Sequence, residues 1–251
     1  MKLRLAALIV SVSLSLVALG EIHDSVSASC ANFLAIDGVL YSRSQMNDGA
    51  NLGRMLTVDD IGPVYRRVAA NRESLHANPG GAGTPVPASC GPRDNFSTDL
   101  PLGTPLHEVQ GYDPAFRLAA VPGEGRIVLF EATYVPSARH GRQLFDIGGR
   151  VVAIRLVDRD TREATMIEDP EVVSRLVEVM LAAPIGSPDV PNSDERPLIV
   201  VYHLADGTAT QDFWYQSSGT LSSGIRAPAE FSDLLRTALR GAHPRAATPT
   251  A

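Results

Sequence analysis

Polar and apolar positions along the chain fall into short runs with two periods. In "NFLAIDGVLYSRS", residues 32–44, two apolar runs flank Asp37-Gly38. That dipeptide suits a two-residue type I′ turn, so the stretch predicts a β-hairpin. "GPVYRRVAA", 62–70, alternates and predicts a strand. Residues 71–99 are dominated by Gly, Pro and small polar side chains and read as a long exposed loop. From 100 to 134 the pattern gives a short strand at Leu106 to Gln110 and a corner at Gly111-Tyr112-Asp113-Pro114. A hairpin follows, "FRLAAV" and "RIVLFEA", joined by Pro122-Gly123-Glu124-Gly125. "YVPSARHGRQLFDIGG", 134–149, reads as a connection.

The second half alternates more regularly. "RVVAIRLVD" and "EATMIED" form a hairpin around Arg159 to Arg162. In "DPEVVSRLVEVMLAA" the apolar period changes to that of a helix. Val172, Val173, Leu176, Val179 and Met180 share one face, Asp169 stands at the N-cap and Pro170 at the first helical position. "LIVVYHL" and "TATQDFWY" flank Asp206-Gly207, a further hairpin. "GTLSSGIRAP" adds a short strand and "PAEFSDLLRTALR" a closing amphipathic helix.

The order is ββ-α-βββ-α. It predicts an α+β protein: a β-rich N-terminal domain, a small barrel or hairpin assembly, over 29–138, then an antiparallel sheet with two helices on one face over 145–240. Residues 241–251 read as a disordered tail.

Residues 1–28 have the grammar of an export signal: Lys2 and Arg4, an uncharged run from Leu5 to Gly20, and the small-residue triplet Val26-Ser27-Ala28. An uncleaved signal anchor is the alternative. A lipid anchor on Cys30 is disfavoured, because Cys30 stands well beyond the apolar run and Ser27 occupies the place where a lipoprotein signal carries Leu. The other cysteine is Cys90. Two cysteines in an oxidising compartment point to one Cys30–Cys90 disulfide. A reactive thiol would need a nearby base that no pattern supplies.

The formal net charge is −6. An acidic chain without a basic block argues against nucleic-acid binding, which rests on neutralising phosphates. It argues equally against electrostatic adhesion to anionic lipid, so membrane association is expected only through an uncleaved signal or a lipidated Cys30.

"LPLGTPLHEVQGYDPAFRLAA" resembles a pattern of uncharacterised secreted proteins and lipoproteins of Gram-positive bacteria: a Leu-Pro-x-Gly-Thr turn, a short strand and a Gly-Tyr-x-Pro corner. The C-terminal half, with its Asp-Gly hairpin, Trp-Tyr strand end and Pro-x-x-Phe helix, is similar in order to small α+β envelope modules. The resemblance implies an extracytoplasmic location and the fold class. Its motifs are structural turns and imply no mechanism.

Candidate chemistry is sparse. His23, His76, His107, His140, His203 and His243 fall at no metal-ligand spacing, and nucleophile-elbow, phosphate-loop and dinucleotide fingerprints are absent from the sequence. No metal or cofactor is expected. Arg139, His140 and Arg142 in "SARHGRQ" form either an anion-holding loop or a solvated basic turn. His203 is either a general base or a solvent-facing sheet residue. Phe213, Trp214 and Tyr215 either bind glycan or peptide, or pack the core. The expected function is an exported cell-envelope binding or structural module whose partner is an envelope protein, a peptide or a glycan. The alternative is an extracytoplasmic hydrolase with a site assembled by folding, which His107, His140 or His203 beside a carboxylate in a pocket would favour.

Intact mass of the secreted protein checks the cysteine reading. One disulfide and no diacylglyceryl adduct are expected. Cys90→Ser should cost about 4 kcal/mol, the chain-entropy value for closing a loop of about 60 residues. Two free thiols under non-reducing conditions would contradict it.

Overall fold

The computed structural model describes residues 33–44, 53–71, 95–123, 125–186 and 195–242. Cys30, Cys90, the 1–28 segment and the centre of the 71–99 stretch lie outside the described residues. The protein is α+β, with thirteen strands and two α-helices among the described residues.

Eight strands form the first sheet: β1 (Phe33–Ile36), β2 (Val39–Arg43), β3 (Ile61–Arg67), β4 (Ala70–Asn71), β5 (Phe96–Ser97), β6 (Pro105–Val109), β7 (Arg117–Ala120) and β8 (Val128–Tyr134). The β1–β2 turn has Asp37 at φ 52° and Gly38 at φ 78°, as a type I′ turn requires. The order is β3-β6-β7-β8-β2-β1-β5-β4. The edge strands β3 and β4 are joined by Val68 and Ala69 alone, so the sheet must curl until its edges meet. Hydrogen bonds hold the seam: Val68 N–H donates to Thr104 O at 3.1 Å, and Ala69 N–H to Asn95 O at 3.2 Å. Leu34, Ile36, Tyr41, Leu106, Leu118 and Phe130 fill the interior. β5 lies within the stretch that reads as loop. Its pairing with β1 is long-range and leaves no local pattern.

The second sheet contains β9 (Val151–Val157), β10 (Ala164–Ile167), β11 (Leu198–Leu204), β12 (Ala209–Tyr215) and β13 (Thr220–Leu221) in the order β10-β9-β11-β12-β13, antiparallel throughout. Ile154, Leu156, Val200, Tyr202 and Trp214 share one face by strand alternation. Helix α1 (Pro170–Ala182) covers it with Val173, Leu176, Val177 and Met180, and helix α2 (Ala229–Ala242) with Phe231 and Leu235. Asp169 caps α1 by accepting from the Glu171 and Val172 amides. Both helices therefore lie on one face.

The chain changes sheet between Tyr134 and Val151, but the core does not stop there. Ala119 and Leu129 point away from the curled interior and join Val109 and Tyr112 in the cluster that holds Trp214 and α1. This explains why Arg117 to Ala120 is buried at every position.

Arg117, 3% exposed, fastens the two sheets. Its guanidinium pairs at 2.6 Å with Glu131, directly opposite on β8, and donates at 2.9 Å to Thr208 Oγ1 at the head of β12. It lies 4.4 Å from the centroid of Tyr112, as does that of Arg150. The Tyr112 hydroxyl donates to Asp206 Oδ2 at 2.8 Å, and Asp206 Oδ1 accepts from Thr208 Oγ1 at 2.7 Å.

Arg117→Met leaves Glu131 charged without its partner and should cost about 3–5 kcal/mol in urea denaturation, part of it recovered by adding Glu131→Leu. A loss under about 1 kcal/mol would show that the sheets are held by apolar contact alone.

Candidate functional site

The residues singled out by sequence lie apart. Arg139, His140 and Arg142 belong to a strap laid on the C-terminus of α1. The Gly141 amide donates to Ala183 O at 3.0 Å, and Ile185 N–H to Arg139 O at 2.8 Å. Gln143 Oε1 accepts from the Arg139 and His140 amides, and the Arg139 guanidinium donates to Pro136 O and Ala138 O. A Cβ at Gly141 would stand 2.5 Å from Met180 O, so glycine permits this close approach. Arg142 lines a separate groove with Arg175 and Glu178. Trp214 is fully buried, edge-on to Phe231 with centroids 6.3 Å apart. Phe213 is half-buried on the other face of β12, under the Arg159 guanidinium.

The described histidines, His107, His140 and His203, do not converge, and His23, His76 and His243 lie outside the described residues. His107 Nδ1 lies 3.0 Å from Gly62 O. His203 points away from the helices, and burial and then Arg155 lower its pKa below the ordinary value. His140 is on the strap. Among the described residues no three of His, Cys, Asp and Glu come together as metal ligands.

A cleft of about 260 Å³ opens where the end of β2 and β8 face β12 and the turn after β13. Its hydroxyls come from Ser42, Ser44, Thr133, Thr210, Ser222 and Ser223, and Phe145 and Phe213 supply aromatic walls. Arg43 and Glu131 reach it too, the Glu131 charge engaged by Arg117.

Asp212 is the chemical centre of this cleft. The register of β12 puts it on the same face as Trp214, opposite Val200, where an apolar side chain would be expected. The chain returns through Ser222, whose amide donates to Phe213 O at 2.8 Å, and so brings two serines against the carboxyl. Asp212 Oδ1 accepts from the Ser222 hydroxyl, from Phe213 N–H at 2.7 Å and from Ser223 N–H at 3.3 Å. Oδ2 is buried and makes no close hydrogen bond among the described residues, and the same holds of the Tyr202 hydroxyl. Burial raises the Asp212 pKa, and hydrogen bonds from the Ser222 and Ser223 hydroxyls and the Phe213 and Ser223 amides only partly oppose it. Burial, and then the Asp212 charge, push the Tyr202 hydroxyl far above its usual range.

Sequence reading missed Asp212. The one signal was an acidic residue two places before Trp214, at an inward position of an alternating strand. Comparison with protein-family models, curated proteins and solved structures returns no match to the chain. Among the described residues no helix is long and apolar enough to cross a membrane.

A carboxyl whose pKa is higher folded than unfolded binds more protons in the folded state over that interval. Its stabilising contribution is full below the unfolded value and lost as pH rises through the folded one. Asp212→Asn should therefore melt a few degrees above wild type at neutral pH, with the gap closing toward pH of about 4 or below, near the unfolded carboxyl value. Thermal melts across this range check it. A gap independent of pH, or an Asn variant weaker throughout, would contradict it.

Proposed function

We propose that the protein is an exported binding module of the cell envelope, and that the inter-sheet cleft takes one sugar ring of a glycan. The export grammar of residues 1–28 and the resemblance to Gram-positive envelope proteins support the location. The observation that carries the ligand class is the wall of hydroxyl-bearing residues, Ser42, Ser44, Thr133, Thr210, Ser222 and Ser223, with the buried Asp212 carboxyl behind the two serines of the turn. A sugar ring offers hydroxyls that both donate and accept, matching a serine-rich wall with a carboxyl held toward its neutral form. Its C–H faces suit Phe145 and Phe213.

The Ser222–Asp212 hydrogen bond is what favours the hydrolase alternative. A serine nucleophile needs a base with a pKa near the working pH. Among the described residues no histidine lines the cleft, so binding is the better reading.

Ligand-observed NMR against neutral hexoses, amino sugars and uronic acids tests this. Neutral sugars should bind, uronic acids more weakly, and Asp212→Ala and Ser223→Ala should each weaken binding by about tenfold or more, with folding verified by Trp214 fluorescence. Binding untouched by both substitutions, or by no sugar of the panel, would refute the proposal. Cleavage of a glycoside would install the hydrolase reading in its place.

A further inference from the structure

At the β10 edge of the second sheet, the opposite edge from the β12–β13 end that lines the cleft, a larger groove of about 750 Å³ runs between the end of β10, the start of α1 and one face of α2. Its floor is Met166, Val172, Leu234 and Ala238. Val172, Leu234 and Ala238 are half-buried residues resting on the central core, which here reaches the surface, and Met166 is 46% exposed. Leu234 and Ala238 stand four residues apart, one ridge of α2.

The charges along the groove have one sign. Glu168, Asp169, Glu230 and Asp233 line it, and among the described residues no lysine or arginine does. Asp169 is engaged in capping α1, and Glu230 pairs with Arg175 at 2.6 Å. Glu168 is exposed, and Asp233 meets only Arg236 at 3.6 Å from a position 74% exposed. An apolar floor between carboxylates matches an amphipathic helix with an apolar stripe and basic flanks.

We propose that this groove docks a cationic amphipathic helix of a partner protein, its apolar stripe seated on Met166, Val172, Leu234 and Ala238 and its basic side chains beside Glu168 and Asp233. The carboxylates disfavour an anionic lipid surface at the same place. The groove shares no residue with the inter-sheet cleft, so the two readings stand or fall separately.

The test uses the full mature chain and two synthetic amphipathic helices of about four turns, one Leu/Lys and one Leu/Glu, in titration calorimetry at low and high salt. The Leu/Lys helix should bind and weaken with salt, and the Leu/Glu helix should not bind. Glu168→Lys with Asp233→Lys should weaken the Leu/Lys helix by about tenfold or more, and Met166→Ser by severalfold. Asp59→Lys with Glu163→Lys, the same change in net charge at exposed positions outside the groove, should have little effect. Equal losses from the two charge-reversed pairs would reduce the interaction to net charge and overturn the proposal. So would equal binding of both helices, no binding of either, or binding of anionic vesicles that competes with the peptide.

Discussion

A guanidinium taken out of water must meet an opposite charge and find hydrogen-bond acceptors, or the fold that buries it is destabilised. Arg117 meets this demand with Glu131 from its own sheet, Thr208 from the other and the ring of Tyr112. Each partner is held in turn. Asp206 fixes Thr208 and Tyr112, and Arg54 donates to Asp206 O while forming a bidentate pair with Asp60. That pair, with the Thr57 hydrogen bonds, pulls the Asp60 carboxyl far below the usual range. The polar chain thus ties the 54–60 segment and the first sheet to the hairpin at Asp206-Gly207 of the second.

This fastening sets the shape of the cleft. Glu131 holds Arg117 and also forms part of the cleft wall, so the distance between the sheets and the room beside Asp212 are not independent. A buried carboxyl with one unpartnered oxygen is a cost to the fold, and it persists where the surroundings over-determine its position. Here the turn of Ser222 and Ser223 and the Phe213 amide do so.

The second sheet was legible because its signals are local. Strand alternation, the Asp169-Pro170 helix start and the Asp206-Gly207 turn each act within a few residues, and the helices show their buried faces directly. The closure of the first sheet was not legible. β4 and β5 are too short to carry a period, and their pairings follow from β3 and β4 being adjacent in sequence yet at opposite edges of the sheet. Arg139, His140 and Arg142 read as a basic turn because their composition does not reveal that the backbone around them packs on the end of α1. Trp214 reads as ligand platform or, more often, as core, and the position of α2 decides for core. Asp212 and Arg117 carry the polar chemistry of the interior, and both look ordinary in sequence, because burial of a single charge is decided by elements far away in the chain.

Native-state hydrogen exchange as a function of denaturant tests most directly whether the polar fastening makes the two sheets one body. Amides of Leu118 to Ala120 in β7 and of Val200 to Tyr202 in β11 sit in different sheets at full burial. One cooperative body requires both sets to exchange only through global opening, with the same free energy and the same denaturant slope. Opening of the β7 set about 2 kcal/mol or more below the β11 set, with a smaller slope, would show that the sheets come apart while each stays folded, and would contradict the account.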